Sequence, residues 1–311
     1  MDRKVDDLKK LQQKTVIIFG ANGFLGSVIT RKLYNSGFQV LPVVRQGANK
    51  SRLDDLAGIK ILEVDPKSWP QIIKRYMPSV VICAQWSGVF KQDRENYEIQ
   101  DKNIDPILKL AVVAKEISVG TFICLGSQAE AQESTSSIQE IYYNSGKTAY
   151  GLAKANLHSQ LESLFKSTKS RFIWARVLSV YGPSDYSDSL SMQLFKSEIA
   201  GTKFIISNPS KFWSYLYEDD FASAIEHILK NLNIWGCVNV GNPIFMQVRE
   251  IVAIWQKSLI TDPVHFEFNE TNIGFFPDTG KLTAVGWEPT ISLEVGIQRT
   301  REEFTERNRA K

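Results

Sequence analysis

The stretch Thr15-Val16-Ile17-Ile18-Phe19-Gly20-Ala21-Asn22-Gly23-Phe24-Leu25-Gly26 decides the fold. Val16 to Phe19 form a continuous apolar, β-branched run too short for a helix, as expected of a strand buried on both faces. Gly20, Gly23 and Gly26 follow at three-residue spacing, and a helical pattern then opens. Leu25, Val28, Ile29 and Leu33 share one face of it, and Gly37 stands where a helix C′ residue belongs. The first glycine lets the strand turn sharply, the second lets backbone approach a pyrophosphate, and the third lets helix pack close to strand. The phosphates would then meet the unpaired N–H groups at the helix N-terminus. A glycine triplet alone is also what a structural loop uses. Set between a buried strand and an amphipathic helix, it reads as a dinucleotide site, with Gly20, Asn22, Gly23, Phe24, Leu25 and Gly26 as its contacts.

Working outward, 311 residues allow one large domain or two modest ones. A composition of 43% hydrophobic and 23% charged residues is that of a globular chain and excludes disorder as the dominant state. Thirty-seven basic against 34 acidic residues leave a formal +3, too little to argue for nucleic acid. Met1 to Lys14 is polar without an apolar signal core, and no run of about 18 apolar residues occurs, so neither a signal peptide nor a membrane span is expected. The expected location is the cytoplasm. Cys83, Cys124 and Cys237 lie in apolar surroundings and read as small buried hydrophobes. The three histidines, His158, His227 and His265, lack metal-ligand spacing, and no metal is expected.

Phe38 to Val44 is a second predicted strand, ending at Arg45. At this place an acidic residue accepts hydrogen bonds from the adenine ribose of NAD, whereas an arginine accommodates the 2′-phosphate of NADP. Arg45, supported by Lys50 or Arg52, points to NADP(H), with NAD(H) the other option and a solvated loop arginine the plain alternative. Ile59 to Val64 is a third strand; Asp65 at its end either meets the adenine or is a turn carboxylate before Pro66. Ser79 to Ala84 is a fourth, with Ala84 read as a cofactor contact, and Thr121 to Leu125 a fifth, stopping at Gly126-Ser127-Gln128. A helix over Asp101 to Ile117 lies between them. Strands alternating with helices predict a doubly wound parallel sheet of Rossmann type. Gln132 to Ser145 reads as a loop over the carboxyl edge of that sheet, where ligands bind in open α/β sheets.

Tyr150-Gly151-Leu152-Ala153-Lys154 opens the next helix. Residues four apart share a helix face, so phenol and ammonium reach one substrate, and the cation favours the phenolate. Tyr143 and Lys147 have the same spacing, but Asn144-Ser145-Gly146 between them is turn chemistry, so Tyr150 is preferred. Beyond it come a strand over Phe172 to Leu178, helices over Ser191 to Ala200 and from Glu218-Asp219-Asp220 to about Leu232, and short strands at Lys203 to Ile206 and Cys237 to Val240. A helix over Val248 to Ser258 and a last one from near Ser292 complete the chain. The Glu218–Asp220 acids precede a helix, where the macrodipole favours them without any metal.

These residues resemble the extended short-chain dehydrogenase/reductases that act on nucleotide sugars, the NAD-dependent epimerase/dehydratase family, from about Thr15 to Phe304. The marks are the glycine turn, Asn103, Ser127, Tyr150 with Lys154, Arg176 with Tyr181-Gly182-Pro183, Asp219-Asp220, and Asp278, Lys281-Leu282, Gly286-Trp287 and Pro289. Gly126-Ser127-Gln128-Ala129-Glu130 and Cys83-Ala84-Gln85-Trp86 look most like the reductases that make CDP-abequose and CDP-paratose. Two positions depart from the family: Ser179 stands where an Asn is common near the diphosphates, and Phe212 where an Arg helps hold the nucleotide. Lys211 would substitute as a point charge but not as a fork.

The resemblance implies an NADP-binding Rossmann lobe over 1–178, with 215–240 returning to it, and a smaller nucleotide-sugar lobe over 179–214 and 241–311. It implies a homodimer, and no nucleic-acid or membrane partner. It also implies hydride transfer to a 4-keto-6-deoxyhexose, with Tyr150 donating a proton to the ketone oxygen, Ser127 hydrogen-bonding that oxygen, and Lys154 holding the nicotinamide ribose. Trp86, Ser127, Gln128, Tyr150, Ser179 and Lys211 are the implied substrate contacts. An NAD-dependent epimerase uses the same residues and is the alternative; a 4,6-dehydratase would have an Asp-Glu pair where Gln128-Ala129 stand. A non-catalytic NADP sensor is a third reading, against which Tyr150 and Lys154 both speak.

Overall fold

A computed structural model describes residues 15–186, 189–257, 264–266 and 273–309. Its centre is a seven-stranded sheet of β1 (Thr15–Phe19), β2 (Gln39–Val44), β3 (Leu62–Glu63), β4 (Val80–Cys83), β5 (Thr121–Ser127), β6 (Arg171–Val177) and β7 (Gly236–Val240). The spatial order is β7-β6-β5-β4-β1-β2-β3, and the pairs from β3 through to β6 are parallel. The continuous apolar runs of β1, β4 and β5 are explained by burial on both faces. Helices α1 (Phe24–Asn35), α2 (Trp69–Tyr76), α3 (Ile104–Glu116) and α4 (Ala149–Phe165) form the crossovers, and α5 (Glu218–Lys230) precedes β7. Leu110, Ala114, Ala153, Leu157 and Leu161 pack with Phe19, Val81, Phe122 and Trp174 into one core. The chain moves outward from β1 to β3 and then returns to β4 on the other side of β1. This is a topological switch point, and the glycine turn sits at it.

The fold departs from two expectations. The third strand, expected over Ile59 to Val64, is paired only at Leu62 and Glu63. It is the outer edge of the sheet, where short strands are the rule, and Asp65 accepts from the Lys67 N–H to start a turn at once. The expected loop over Gln132 to Ser145 contains one short strand, Ser137–Ile138, paired parallel with Phe276–Pro277. Two residues carry no readable periodicity. Ser258, the expected end of the Val248 helix, lies outside the described residues; the helix is described over Val248–Lys257.

The described residues divide into two compact units. One takes 15–132, 140–177 and 222–238; the other takes 133–139, 178–221 and 239–309 where described. The second unit has its own core of Tyr181, Leu194, Phe195, Tyr217, Ile251, Trp255 and Ile297. Asp220 accepts hydrogen bonds from Thr290 N, Thr290 Oγ1 and Ile291 N, anchoring the turn before the last helix, Leu293–Arg309. No helix of the described residues is long and apolar enough to cross a membrane.

Glu218, at the start of α5, is buried and accepts from Ser184 N and Ser184 Oγ, both at 3.1 Å. Burial pushes its carboxyl up from the usual 4.5 to about 7. A raised folded-state value favours the protonated form. The contribution to stability is therefore complete below the unfolded value and is lost as pH rises through about 7. The difference is on the order of 3 kcal/mol. Glu218→Gln removes the titration, so its advantage in melting temperature over the parent should grow from pH 5 to pH 8. A pH-independent difference would contradict this account of Glu218.

Candidate active site

The glycine turn is drawn tight. Gly20 N and Ala21 N both donate to Val43 O, at 3.1 and 3.4 Å, and Ala84 N donates to Phe19 O at 2.9 Å. Gly20 has φ +76°, and a Cβ there would stand 2.6 Å from Gln85 N and Cα. A Cβ at Gly26 would fall on the Gly20 carbonyl oxygen, so only glycine lets α1 approach this closely. Gly23 is the N-cap of α1 and offers no side-chain cap, and no acidic residue lies in the first turn. A helix start without cap or carboxylate, fronted by glycine, fits the pyrophosphate of a dinucleotide. Phe24, Leu25 and Gly26 supply its first amides, and Asn22 Nδ2 ties the turn to Asn49 O at 3.0 Å.

Because Val43 O holds the turn, Arg45, two residues on, stands beside it with its side chain exposed. Of its proposed supports, Lys50 is ion-paired with Glu63, which also accepts from Gly47 N at 2.7 Å. Those bonds hold the Glu63 carboxyl below its usual range. Asp65 is exposed, and its Oδ1 caps the turn through Lys67 N at 2.8 Å.

The carboxyl end of β5 and the start of α4 bring the proposed chemistry together. Thr148 caps α4, its Oγ1 accepting from Gly151 N at 3.0 Å. Tyr150, in the first turn, is buried, and its N–H is satisfied by Arg94 O at 2.9 Å. One turn later Lys154, only 4% exposed, donates from Nζ to Leu125 O at 2.8 Å. Its ammonium lies 3.7 Å from the centre of the Trp86 ring and 5.9 Å from that of Tyr150. Trp86 meets Tyr150 edge-on at 5.9 Å, and its indole N–H is fixed by Gln100 Oε1 at 2.8 Å. Ser127, two residues beyond Leu125, accepts at Oγ from Ala129 N at 3.2 Å. That bond uses a lone pair and leaves the hydroxyl proton to donate. Asn103 holds the loop after β4, accepting from Ser87 N at 2.7 Å and donating to Ser87 O at 3.1 Å.

Tyr143 stands outside the helix with Arg176 5.1 Å from its ring centre, so it and Lys147 share no helix face. Gln128 opens the turn after Ser127. In the second unit, Ser179 sits at φ +45°, a left-handed conformation that Asn adopts several-fold more readily than most residues. Lys211 is ion-paired with Glu133 and lies 4.5 Å over the Trp213 ring, while Phe212 packs against Phe245 and Phe276.

The sequence reading missed Arg94. Its guanidinium lies 5.0 Å from the Tyr150 ring centre, and its Nε donates to Val89 O at 3.0 Å. Nothing in the spacing marks it, because its place depends on the path of the Gln85–Asn96 loop. Glu130, in sequence only one member of the Gly126–Glu130 motif, is fully buried. Burial opposes its charge, yet the neighbouring His158, the Arg176 guanidinium and the Ser127 N–H hold its carboxyl below the usual range.

The sequence pattern of the NAD dependent epimerase/dehydratase family matches residues 16–241. The chain belongs to that family. It is 23% identical, over 73% of its length, to a dTDP-D-glucose 4,6-dehydratase of Dictyostelium discoideum. It is also 23% identical, over 94%, to a trifunctional UDP-glucose 4,6-dehydratase/UDP-4-keto-6-deoxy-D-glucose 3,5-epimerase/UDP-4-keto-L-rhamnose-reductase of Arabidopsis thaliana. The chain spans about half the length of these relatives, 58% and 47%. A Thermus thermophilus UDP-glucose 4-epimerase, solved with NAD, has the same fold: TM-score 0.79 at 18% identity, over 94% of this chain and 99% of that one.

The two overlapping Tyr–Lys pairs are separated by mutation. Tyr150→Phe should cut turnover about 10²–10⁴-fold, the usual worth of a general acid, with cofactor affinity kept. Tyr143→Phe should do far less. The reverse order in steady-state rates would make Tyr143 the acid.

Proposed function

We propose that this chain is an NADPH-dependent reductase of a 4-keto-6-deoxy sugar carried on a nucleotide. The observation that carries the choice of reductase is Arg45, at the end of β2 beside the glycine turn, in the place where an NAD site has an acidic ribose ligand. A reductase consumes its cofactor each turn and draws on the reduced pool, which an epimerase does not. The nicotinamide cofactor supplies a hydride when bound, and the residues around Gly20–Gly26 fit its pyrophosphate. Tyr150 donates its phenolic proton to the ketone oxygen, Ser127 donates its hydroxyl to the same oxygen, and Lys154 holds the ribose with the donors not spent on Leu125 O. Trp86 covers the Lys154 ammonium and keeps water from it. Gln128 and Ala129, after Ser127, offer neither acid nor base, which argues against dehydration.

Epimerisation is the second reading, supported by the NAD-bound epimerase that shares the fold. It needs the same tyrosine and lysine, with room for the keto sugar to turn over. Location in the cytoplasm, a homodimer and the substrate roles of Ser179 and Lys211 remain part of the proposal. Lys211 would have to exchange Glu133 for a phosphate.

A single charge-assisted contact to the 2′-phosphate is worth about 1.5–3 kcal/mol. NADPH should therefore bind more tightly than NADH, and Arg45→Asp should abolish or reverse the preference in a fluorescence titration. Equal affinities in the parent would remove the basis for NADP.

The reaction itself is tested with a 4-keto-6-deoxy nucleotide sugar and stoichiometric NADPH, followed at the nicotinamide absorbance. A reductase consumes one NADPH per sugar. A protein that carries NAD and interconverts two sugars without net cofactor use is an epimerase.

A further inference from the structure

The carboxylate of Glu130 is the meeting point of a buried cluster directly under the proposed site. It accepts from Ser127 N at 2.7 Å, from Trp174 Nε1 at 3.0 Å to each oxygen, and from Arg176 Nε and Nη2 at 3.3 and 3.2 Å. Glu130 and Arg176 are both 0% exposed. His158 Nδ1 lies 3.6 Å from Glu130 Oε2, and its ring stacks on Trp174 at 4.6 Å, 5° from parallel. His158 is eight residues from Tyr150 and four from Lys154, so the three side chains form one stripe along α4.

The backbone is fitted around this cluster. A Cβ at Gly126 would overlap Trp174 Nε1 and stand 2.8 Å from Glu130 Oε1. A Cβ at Gly151 would overlap Ala129 O, so the Gln128–Glu130 turn is pressed against the first turn of α4. The turn that orients the Ser127 hydroxyl thus has two supports: the carboxylate below it and the helix carrying Tyr150 beside it. A buried ion pair is weak evidence for stability, since replacing it with apolar side chains is often neutral or stabilising. It is well suited to fixing direction, because a charge-assisted bond to Ser127 N–H defines that peptide plane more firmly than a neutral one.

We propose that Glu130 is a positioning residue for the reaction: it holds the Ser127 peptide and the turn after it so that the Ser127 hydroxyl and Tyr150 converge on one substrate oxygen. This rests on the reading of Ser127 and Tyr150 given above, and not on the choice between reductase and epimerase. Rates are therefore read on whichever nucleotide-sugar reaction the parent catalyses. A parent inert on every nucleotide sugar sinks the earlier reading; an active parent indifferent to Glu130 sinks this one.

Glu130→Gln keeps an acceptor for Ser127 N–H without the charge, and Glu130→Ala removes both. Turnover should fall about 10-fold in the first and about 10²-fold in the second, the scale expected of a misplaced reacting group. KM and the NADPH dissociation constant from fluorescence titration should stay at parent values. In a Ser127→Ala background, Glu130→Ala should cost nothing further, because it acts through the missing hydroxyl. Losses that multiply, or that fall in KM or cofactor affinity alone, overturn the proposal. If the single variants do not fold, Glu130→Met with Arg176→Met replaces the pair by apolar side chains. Reduced kcat in that folded double variant supports the proposal. Parent kcat, or failure of every variant to fold, makes the cluster structural and overturns it.

Discussion

The bond from Lys154 Nζ to Leu125 O, at 2.8 Å, is the constraint on which the rest of the site depends. Lys154 is only 4% exposed, and a buried ammonium is costly unless it is paired. Here it has a carbonyl at the end of β5 on one side and the face of Trp86 on another. A hydrogen bond to a charged group contributes about 1.5–3 kcal/mol and a desolvated cation–π contact about 2, enough to offset much of that penalty. The contact also fixes the register of α4 against β5. Tyr150, one turn earlier, is then held near the strand end that leads into Ser127.

Tyr150 is in turn set by groups from a different segment. Arg94 supplies both the carbonyl for its backbone N–H and a guanidinium over its ring, and Trp86 presents an edge to it. Cation, ring, ring and cation follow in the order Arg94, Tyr150, Trp86, Lys154. Gln100 locks this arrangement from below: buried, it accepts from Trp86 Nε1 and donates to Gly88 O and Asp93 O. The loop after β4 is thereby tied at Trp86, Gly88 and Asp93.

What was legible in the sequence follows from where the physics is local. The strands β1, β2, β4, β5 and β6 were readable to within about two residues, because burial on both faces leaves a predominantly apolar run. The glycine turn was readable because close backbone approach admits no other residue at Gly26. Of the strand expected over Ile59 to Val64 only Leu62–Glu63 pair, and Ser137–Ile138 and the two-residue strands of the second unit carry no period to read. Arg94 and Glu130 escaped for another reason. Arg94 depends on a loop path, and Glu130 is made burial-tolerant by Arg176, 46 residues on. Neither circumstance leaves a local mark, and a charged side chain read alone is assigned to the surface.

The same local chemistry bears on the cofactor. Val44 and Glu63 are register partners in β2 and β3, so a carboxylate stands one position from Arg45. On charge alone, Glu63 would repel a 2′-phosphate or accept from ribose hydroxyls. Its oxygens are instead committed to Lys50 and Gly47 N, so its charge is matched locally and its acceptors are engaged. Asp65, the next carboxylate along the chain, has an oxygen accepting from Lys67 N. Glu63 is thus engaged at both oxygens and Asp65 at one, while Arg45 is exposed at the strand end beside the glycine turn. The proposed preference for NADP therefore rests on the placement of these carboxylates as well as on the arginine.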